Sequence, residues 1–239
     1  MDKVLFWDFH NTLAARPGMF RSSLRMVLDE REPGHGLTDD HFSPWLQSGF
    51  PWDEPWRDYR HLRDPEAWWE NLYPLFQQAY ERNGFPPETA RVYARAARAY
   101  MMEPGRYTLY PETLDILQRF RDRGFRHVIV SNHIPELPAI VEGVGLAPLV
   151  DGILTSARVG YEKPHPEIFR QALALAGHPT VAFMAGDNLE ADVRGAEAVG
   201  LPAILVRKPA MEPVRWFARD LSEVLRIVEA ETATGGTAG

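Results

Sequence analysis

The chain has 239 residues, no cysteine, and 33 acidic against 26 basic residues, for a net charge of −7. Its 45% hydrophobic content suits one large domain, or a core domain with a smaller companion, and excludes a disordered chain. Disulfides and thiolate metal sites are excluded, no basic stripe offers itself to nucleic acid, and no run approaches the roughly 18 apolar residues of a membrane span. Asp2 and Lys3 precede only four apolar residues, too few for a signal-peptide core, so a cytoplasmic location is expected.

The first predicted element is a buried strand, Val4–Trp7, which stops at the polar turn "DFHNTL". The stretch 14–107 then reads as a helical insertion without a buried strand. Phe20, Leu24, Val27 and Leu28 recur at helical spacing, and an irregular segment follows from Pro33 to Asp64. Asp64 and Pro65 can open a helix that closes at Asn83-Gly84, and Pro86-Pro87 can open another running to about Glu103.

From 108 to 231 the rhythm changes. Strands at His127–Val130, Ile153–Leu154, Val181–Ala185 and Ala203–Val206 alternate with helices near 111–123, 135–144, 165–176 and 190–199. Such alternation predicts an α/β fold in which a parallel sheet is covered on both faces, a three-layer core made of residues 1–13 and 108–231. Residues 232–239 are small and polar and are expected to be a disordered tail.

In parallel sheets, ligands bind beyond the carboxyl ends of the strands. Polar groups collect there: Asp8, His10, Asn11 and Thr12 after the first strand, Ser131 and Asn132 after the second, and Asp187 and Asp192 after the fourth. Lys163 precedes a helix opened by Pro164-His165-Pro166. Each alone is an ordinary turn or cap residue. Lysine is rare in this chain, which has only Lys3, Lys163 and Lys208, so a lysine at that edge calls for a chemical reason.

Taken together, these residues resemble the motifs of the haloacid dehalogenase-like (HAD) hydrolase superfamily. "DFHNTL" is similar to the first motif, Ser131 to the second, Lys163 to the third and "GDNLEAD" to the fourth, the most specific part of the match. The resemblance implies a Rossmann-like core with an α-helical cap domain at 14–107. It also implies Mg²⁺-dependent hydrolysis of a small-molecule phosphate through an aspartyl-phosphate on Asp8. Asp8 and Asp187 would supply carboxylates to Mg²⁺, His10 its backbone carbonyl, and Asp192 a supporting carboxylate. Ser131, Asn132 and Lys163 would face the substrate phosphate.

His10 departs from the pattern, because phosphatases of this superfamily mostly carry aspartate there as general acid and base. Three readings follow. His10 takes over the proton transfers; or it marks another reaction, the sharpest being a metal-free haloacid dehalogenase; or it fills space in a degenerate site that binds phosphate or a partner with little turnover. A cation near the imidazole would favour its neutral form.

The insertion carries Trp45, Trp52, Trp56, Trp68 and Trp69, together with Arg16, Arg21 and Arg25. An aromatic wall over the substrate with an arginine for an anionic group is one reading; packing of the insertion's own core is the simpler one. The irregular segment is the candidate specificity lid. His35, His41 and His61 lack ligand spacing and read as surface or loop residues, His133 reads as a helix-start residue with a place at the site as the alternative, and Trp7 is expected to pack beneath a helix.

Overall fold

The computed structural model describes residues 2–209 and 212–234. Strand β1 (Lys3–Trp7) leads through a tight turn into the two-residue β2 (Ala14–Ala15). Helices α1 (Met19–Arg31), α2 (Asp39–Phe42), α3 (Pro65–Arg82) and α4 (Pro87–Met102) follow, and β3 (Thr108–Leu109) pairs antiparallel with β2. Then come α5 (Thr113–Asp122), β4 (Phe125–Ser131), α6 (Leu137–Gly143), β5 (Gly152–Thr155), α7 (Ser156–Val159) and α8 (Pro166–Leu175). The chain ends with β6 (Val181–Gly186), α9 (Gly195–Glu197), β7 (Ala203–Val206), β8 (Phe217–Ala218) and α10 (Leu221–Thr234). Residues 232–234 are thus helical, which corrects the reading of them as tail; 235–239 lie outside the described residues.

Six strands form one parallel sheet in the order β5-β4-β1-β6-β7-β8, with β1 between β4 and β6. The chain builds outward to one side of β1, then crosses to build the other side. The reversal opens a crevice at the carboxyl ends of β1, β4 and β6. Successive residues of β1 face opposite layers. Leu5 and Trp7 join the apolar cluster that includes Phe120, Ile140 and Val224, while Val4 and Phe6 join Ile168, Phe169 and Ala196. As expected, Trp7 packs under a helix, edge-on to Phe120 of α5 at 5.8 Å. Its indole N–H donates to Nδ1 of the buried His127 at 3.0 Å.

The helical region between β1 and the rest of the sheet is built as its sequence dictates. Asp64 caps α3, accepting from the amides of Glu66 and Ala67 at 3.0 and 3.1 Å, and Phe20, Leu24, Val27 and Leu28 of α1 are all buried. The segment expected to be irregular contains α2 and single 3₁₀ turns at Ser43–Trp45, Pro51–Asp53 and Arg60–Leu62. Trp68 and Trp69 are fully buried within this region, so packing accounts for them. His35 and His41 serve local hydrogen bonds, accepting from the amides of Leu37 and Thr38.

Contacts at Glu136 and Gly160 tie the region to the rest of the chain besides the β2–β3 ribbon. Trp69 donates to the Glu136 carboxylate at 3.0 Å, and Arg98 meets the same group at 2.9 Å. The Tyr59 amide donates to the Gly160 carbonyl at 3.0 Å. Gly160 sits at φ +81°, and a Cβ there would lie 2.6 Å from the Arg60 backbone. Only glycine allows so close an approach.

Candidate active site

β1 delivers Asp8 to the crevice, anchored because its amide donates to the Ala185 carbonyl of β6 at 2.9 Å. The turn that follows is wound tightly on the Phe9 carbonyl, which accepts from Leu13 and Ala14 at 3.0 and 3.1 Å, and Asn11 takes φ +61°. β4 brings Ser131, whose hydroxyl donates to Oδ1 of Asp8 at 2.8 Å. Lys163 arrives from the loop before α8, and its ammonium donates to Asp8 Oδ1 at 2.8 Å, Asp192 Oδ1 at 2.5 Å and the Val130 carbonyl at 2.8 Å. Asn132 does not use its amide on this cluster. It accepts from the Lys163 backbone N–H at 2.7 Å and donates to the Lys163 carbonyl at 2.9 Å, clamping the loop that carries the lysine.

Asp192 stands on a π-helical turn, Leu189–Arg194, where the sequence pattern suggests the start of a regular helix. Asn188 starts the turn by accepting from Glu190 and Ala191, and its own amide donates to Asp192 Oδ2 at 3.0 Å. The wider turn folds Asp192 back over β6. There a Cβ on Gly186 would fall 2.2 Å from the Asp192 carboxyl carbon, so Gly186 makes room for the carboxylate. Oxygens of Asp8, Asp187 and Asp192 all lie within 4.8 Å of one another, and the three side chains are buried. Three hard oxygen donors on a buried crevice floor fit a divalent cation such as Mg²⁺.

The electrostatics follow from burial and one shared cation. Burial pushes the Asp8 carboxyl up, but the Lys163 charge and the hydrogen bonds from Lys163 and Ser131 outweigh it and hold Asp8 below the ordinary carboxylate range. Lys163 is kept charged against its own burial by Asp192 and Asp8. Asp192 is pushed up to about 7, first by burial and then by the anionic Asp8, although Lys163 works in the other direction. His10 is shifted toward its neutral form as expected, but chiefly by burial. Asp8 and Asp187 oppose the shift, and the cations Lys208 and Arg16 add to it.

Two further residues, Lys208 and His133, line this crevice. Lys208 forms an ion pair with Asp187. Its signal was the scarcity of lysine, since two of the chain's three lysines converge here. His133 lines the crevice, buried to 1% exposure, edge-on to Phe9 at 5.7 Å, with neither ring nitrogen hydrogen-bonded among the described residues. It precedes α6 by four positions, so it does not serve as that helix's cap.

The crevice holds about 650 Å³, with the acidic floor beneath and Met19, Phe20, Trp52, Pro55 and Trp56 of the helical region above. Trp52 stacks with Phe50 at 4.8 Å and is partly core; Trp56 is 68% exposed at the rim. Of the tryptophans in the helical region, Trp52 and Trp56 line the crevice, whereas Trp68 and Trp69 do not.

A crossover sheet whose switch point gathers three carboxylates, a buried lysine and a serine defines a hydrolytic class of α/β protein. The sequence pattern of the haloacid dehalogenase-like hydrolases matches residues 3–200, and the chain belongs to that family. It is 40% identical over 134 residues to a phosphoserine phosphatase from Thermus thermophilus, covering 55% of this chain and 53% of the relative, so it spans about half of that relative's length. It is 28% identical over 208 residues to a ribulose-1,5-bisphosphate 5-phosphatase from Halopiger xanaduensis, covering 86% and 84% of the two chains. The magnesium-bound HAD-hydrolase YfnB from Bacillus subtilis superposes with a TM-score of 0.73 at 19% identity, over 95% of this chain and 99% of that one, a likeness of fold. Among the described residues, no helix is long and apolar enough to cross a membrane.

Proposed function

We propose that the chain is a Mg²⁺-dependent phosphatase of small phosphorylated metabolites that works through an aspartyl-phosphate on Asp8, with residues 14–107 as its cap. The observation that carries this reading is the buried Lys163 ammonium shared by Asp8 and Asp192 at the sheet's switch point. It keeps Asp8 ionised, as a nucleophile must be, and supplies positive charge where a phosphate dianion would otherwise meet only carboxylates. The likeness to the Thermus phosphoserine phosphatase and the Halopiger ribulose-1,5-bisphosphate 5-phosphatase supports the substrate class.

Asp8 presents two unequal oxygens. Oδ1 is held by Ser131 and Lys163, whereas among the described residues Oδ2 accepts only a longer bond from Thr12 at 3.3 Å, which leaves Oδ2 the freer oxygen to attack phosphorus. In the first step a bond forms from Asp8 to phosphorus, and the ester P–O bond breaks with its electrons on the leaving oxygen. In the second, water attacks the phosphoryl group and gives its proton to a base, while the bond between Asp8 and phosphorus breaks, regenerating the carboxylate and releasing inorganic phosphate. Asp8 and Asp187, with the His10 carbonyl, would hold Mg²⁺, which when bound neutralises charge on the transferring phosphoryl group. Asp192 would position Lys163, and Asn132 the loop that carries it.

His10 takes the part of the base in the second step, since its imidazole lines the crevice with Asp8 and is shifted toward the neutral form that can accept a proton. A neutral imidazole accepts a proton from water but donates poorly to an alkoxide. We therefore expect rates to fall as the leaving group becomes more basic, with acyl and aryl phosphates hydrolysed best. A series of phosphate esters assayed at one pH tests this, and a flat dependence would refute the assignment. The same neutrality favours a second reading, a site that binds phosphate with little turnover. Asp8→Asn and His10→Asp separate the two. An active parent silenced by Asp8→Asn supports the phosphatase; an inactive parent awakened by His10→Asp supports the quiescent site. The paired Asp187 and Asp192 argue against metal-free dehalogenation, and halide release from 2-haloacids in the presence of a chelator would reinstate it.

A further inference from the structure

A second cavity of about 350 Å³ adjoins the crevice and shares His10, Asn11, Met19 and Phe20 with it. Its charged side chains are of one sign, Arg16 and Arg21, and no carboxylate lines it. The crevice floor is different, for there each lysine is already committed to aspartate.

Arg16 is 3% exposed, yet among the described residues its guanidinium donates to neutral oxygens alone, including the Met101 carbonyl at 2.8 Å and the Ser23 hydroxyl at 2.6 Å. It lies 5.1 Å over the Tyr107 ring, and its Nε has no acceptor among the described residues. A buried cation without a counter-anion is costly and calls for one. Arg21 is hardly better matched: it donates to Ser43 at 2.7 Å and stands 4.0 Å from Asp40, whose side chain is 93% exposed.

We infer that this annex receives a second anionic group of the substrate, so that the preferred substrates are phosphomonoesters carrying a carboxylate or another phosphate on a short chain. The inference rests on the phosphatase reading. With the reacting phosphoryl group over Asp8, the rest of a small substrate reaches the annex past His10 and Met19, and its anion meets Arg16 and Arg21. Guanidinium groups suit both kinds of anion, because their forked donors match carboxylate and phosphate oxygens.

The experiment compares kcat/KM for ethyl phosphate, phosphoglycolate and ethylene glycol bisphosphate, which share a two-carbon chain and differ in its far end. We expect at least one anionic substrate to exceed ethyl phosphate by roughly 10- to 100-fold, the worth of one or two charge-assisted hydrogen bonds, and the better of the two identifies the anion. Arg21→Gln should cut that ratio several-fold, mainly through KM, and Arg16→Gln should cut it further if the variant folds. A parent ratio near one, or a ratio that Arg21→Gln leaves unchanged, would overturn the annex while leaving the phosphatase intact. Calorimetric binding of the same compounds to Asp8→Asn makes the two failures distinguishable. Arg21-dependent preference for the anionic compounds, without turnover by the parent, would uphold the annex and refute the phosphatase.

Discussion

At the scale of single residues, the site is an arrangement of too many carboxylates around too few cations. Lys163 answers for two of them, so its loss leaves both buried and unpaired. Lys163→Met is expected to abolish the proposed phosphatase activity and to destabilise the protein by about 3–5 kcal/mol, read from denaturant unfolding beside the parent. Lys208 is the other cation. It sits on Oδ2 of Asp187 and adds positive charge beside the acidic cluster, so Lys208→Met should bind Mg²⁺ more tightly in calorimetry without substrate. Unchanged or weaker binding would show that the pair does not compete with metal.

Elements explain why part of this was legible in the sequence and part was not. The five longer sheet strands announce themselves because each is an apolar run with polar residues beyond it, and Asp64 and Pro65 mark α3 by local chemistry. Asp64→Ala should accordingly cost about 1 kcal/mol, measurable as a lower unfolding midpoint. The two-residue strands β2, β3 and β8 are too short to leave a pattern. Helix α10 went unread, although Leu221, Val224, Leu225 and Val228 are buried at helical spacing. The π-helical turn under Asp192 is set by tertiary packing over Gly186, which composition does not encode. Asp8, Ser131, Lys163, Asp187 and Asp192 were placed together because strand ends converge in any such sheet. Asn132's turn toward the lysine loop, His133's place in the crevice and the Lys208 pairing depend on how loops close, which is decided by contacts distant in sequence.

The whole molecule responds to acid through groups far from the reaction. His127, between the Trp7 indole and the Leu117 carbonyl, is pushed down to about 4, chiefly by burial. Its depressed value means that the unfolded chain takes up the proton first. Its contribution to stability is therefore full above about 6.5 and is lost as pH falls through about 4. Glu162 and Asp192, both pushed up to about 7 by burial, have the opposite effect, and His133, pushed down to about 3, the same one, so the share of His127 must be read by difference. His127→Gln should flatten the fall in melting temperature between neutral pH and about 4; an unaltered slope would remove His127 as its source. Binding should act on the same global equilibrium. Magnesium is expected to raise the melting temperature of the parent but not of Asp187→Ala.

Gly160 has a reach beyond its own loop. The backbone of Arg60 occupies the space a methyl group would need, so the helical region and the sheet are latched there with no slack. Gly160→Ala would act as a doorstop, wedging the two bodies ajar. Bulky esters should then gain access while small ones lose their snug enclosure, a trade that a single methyl group would set.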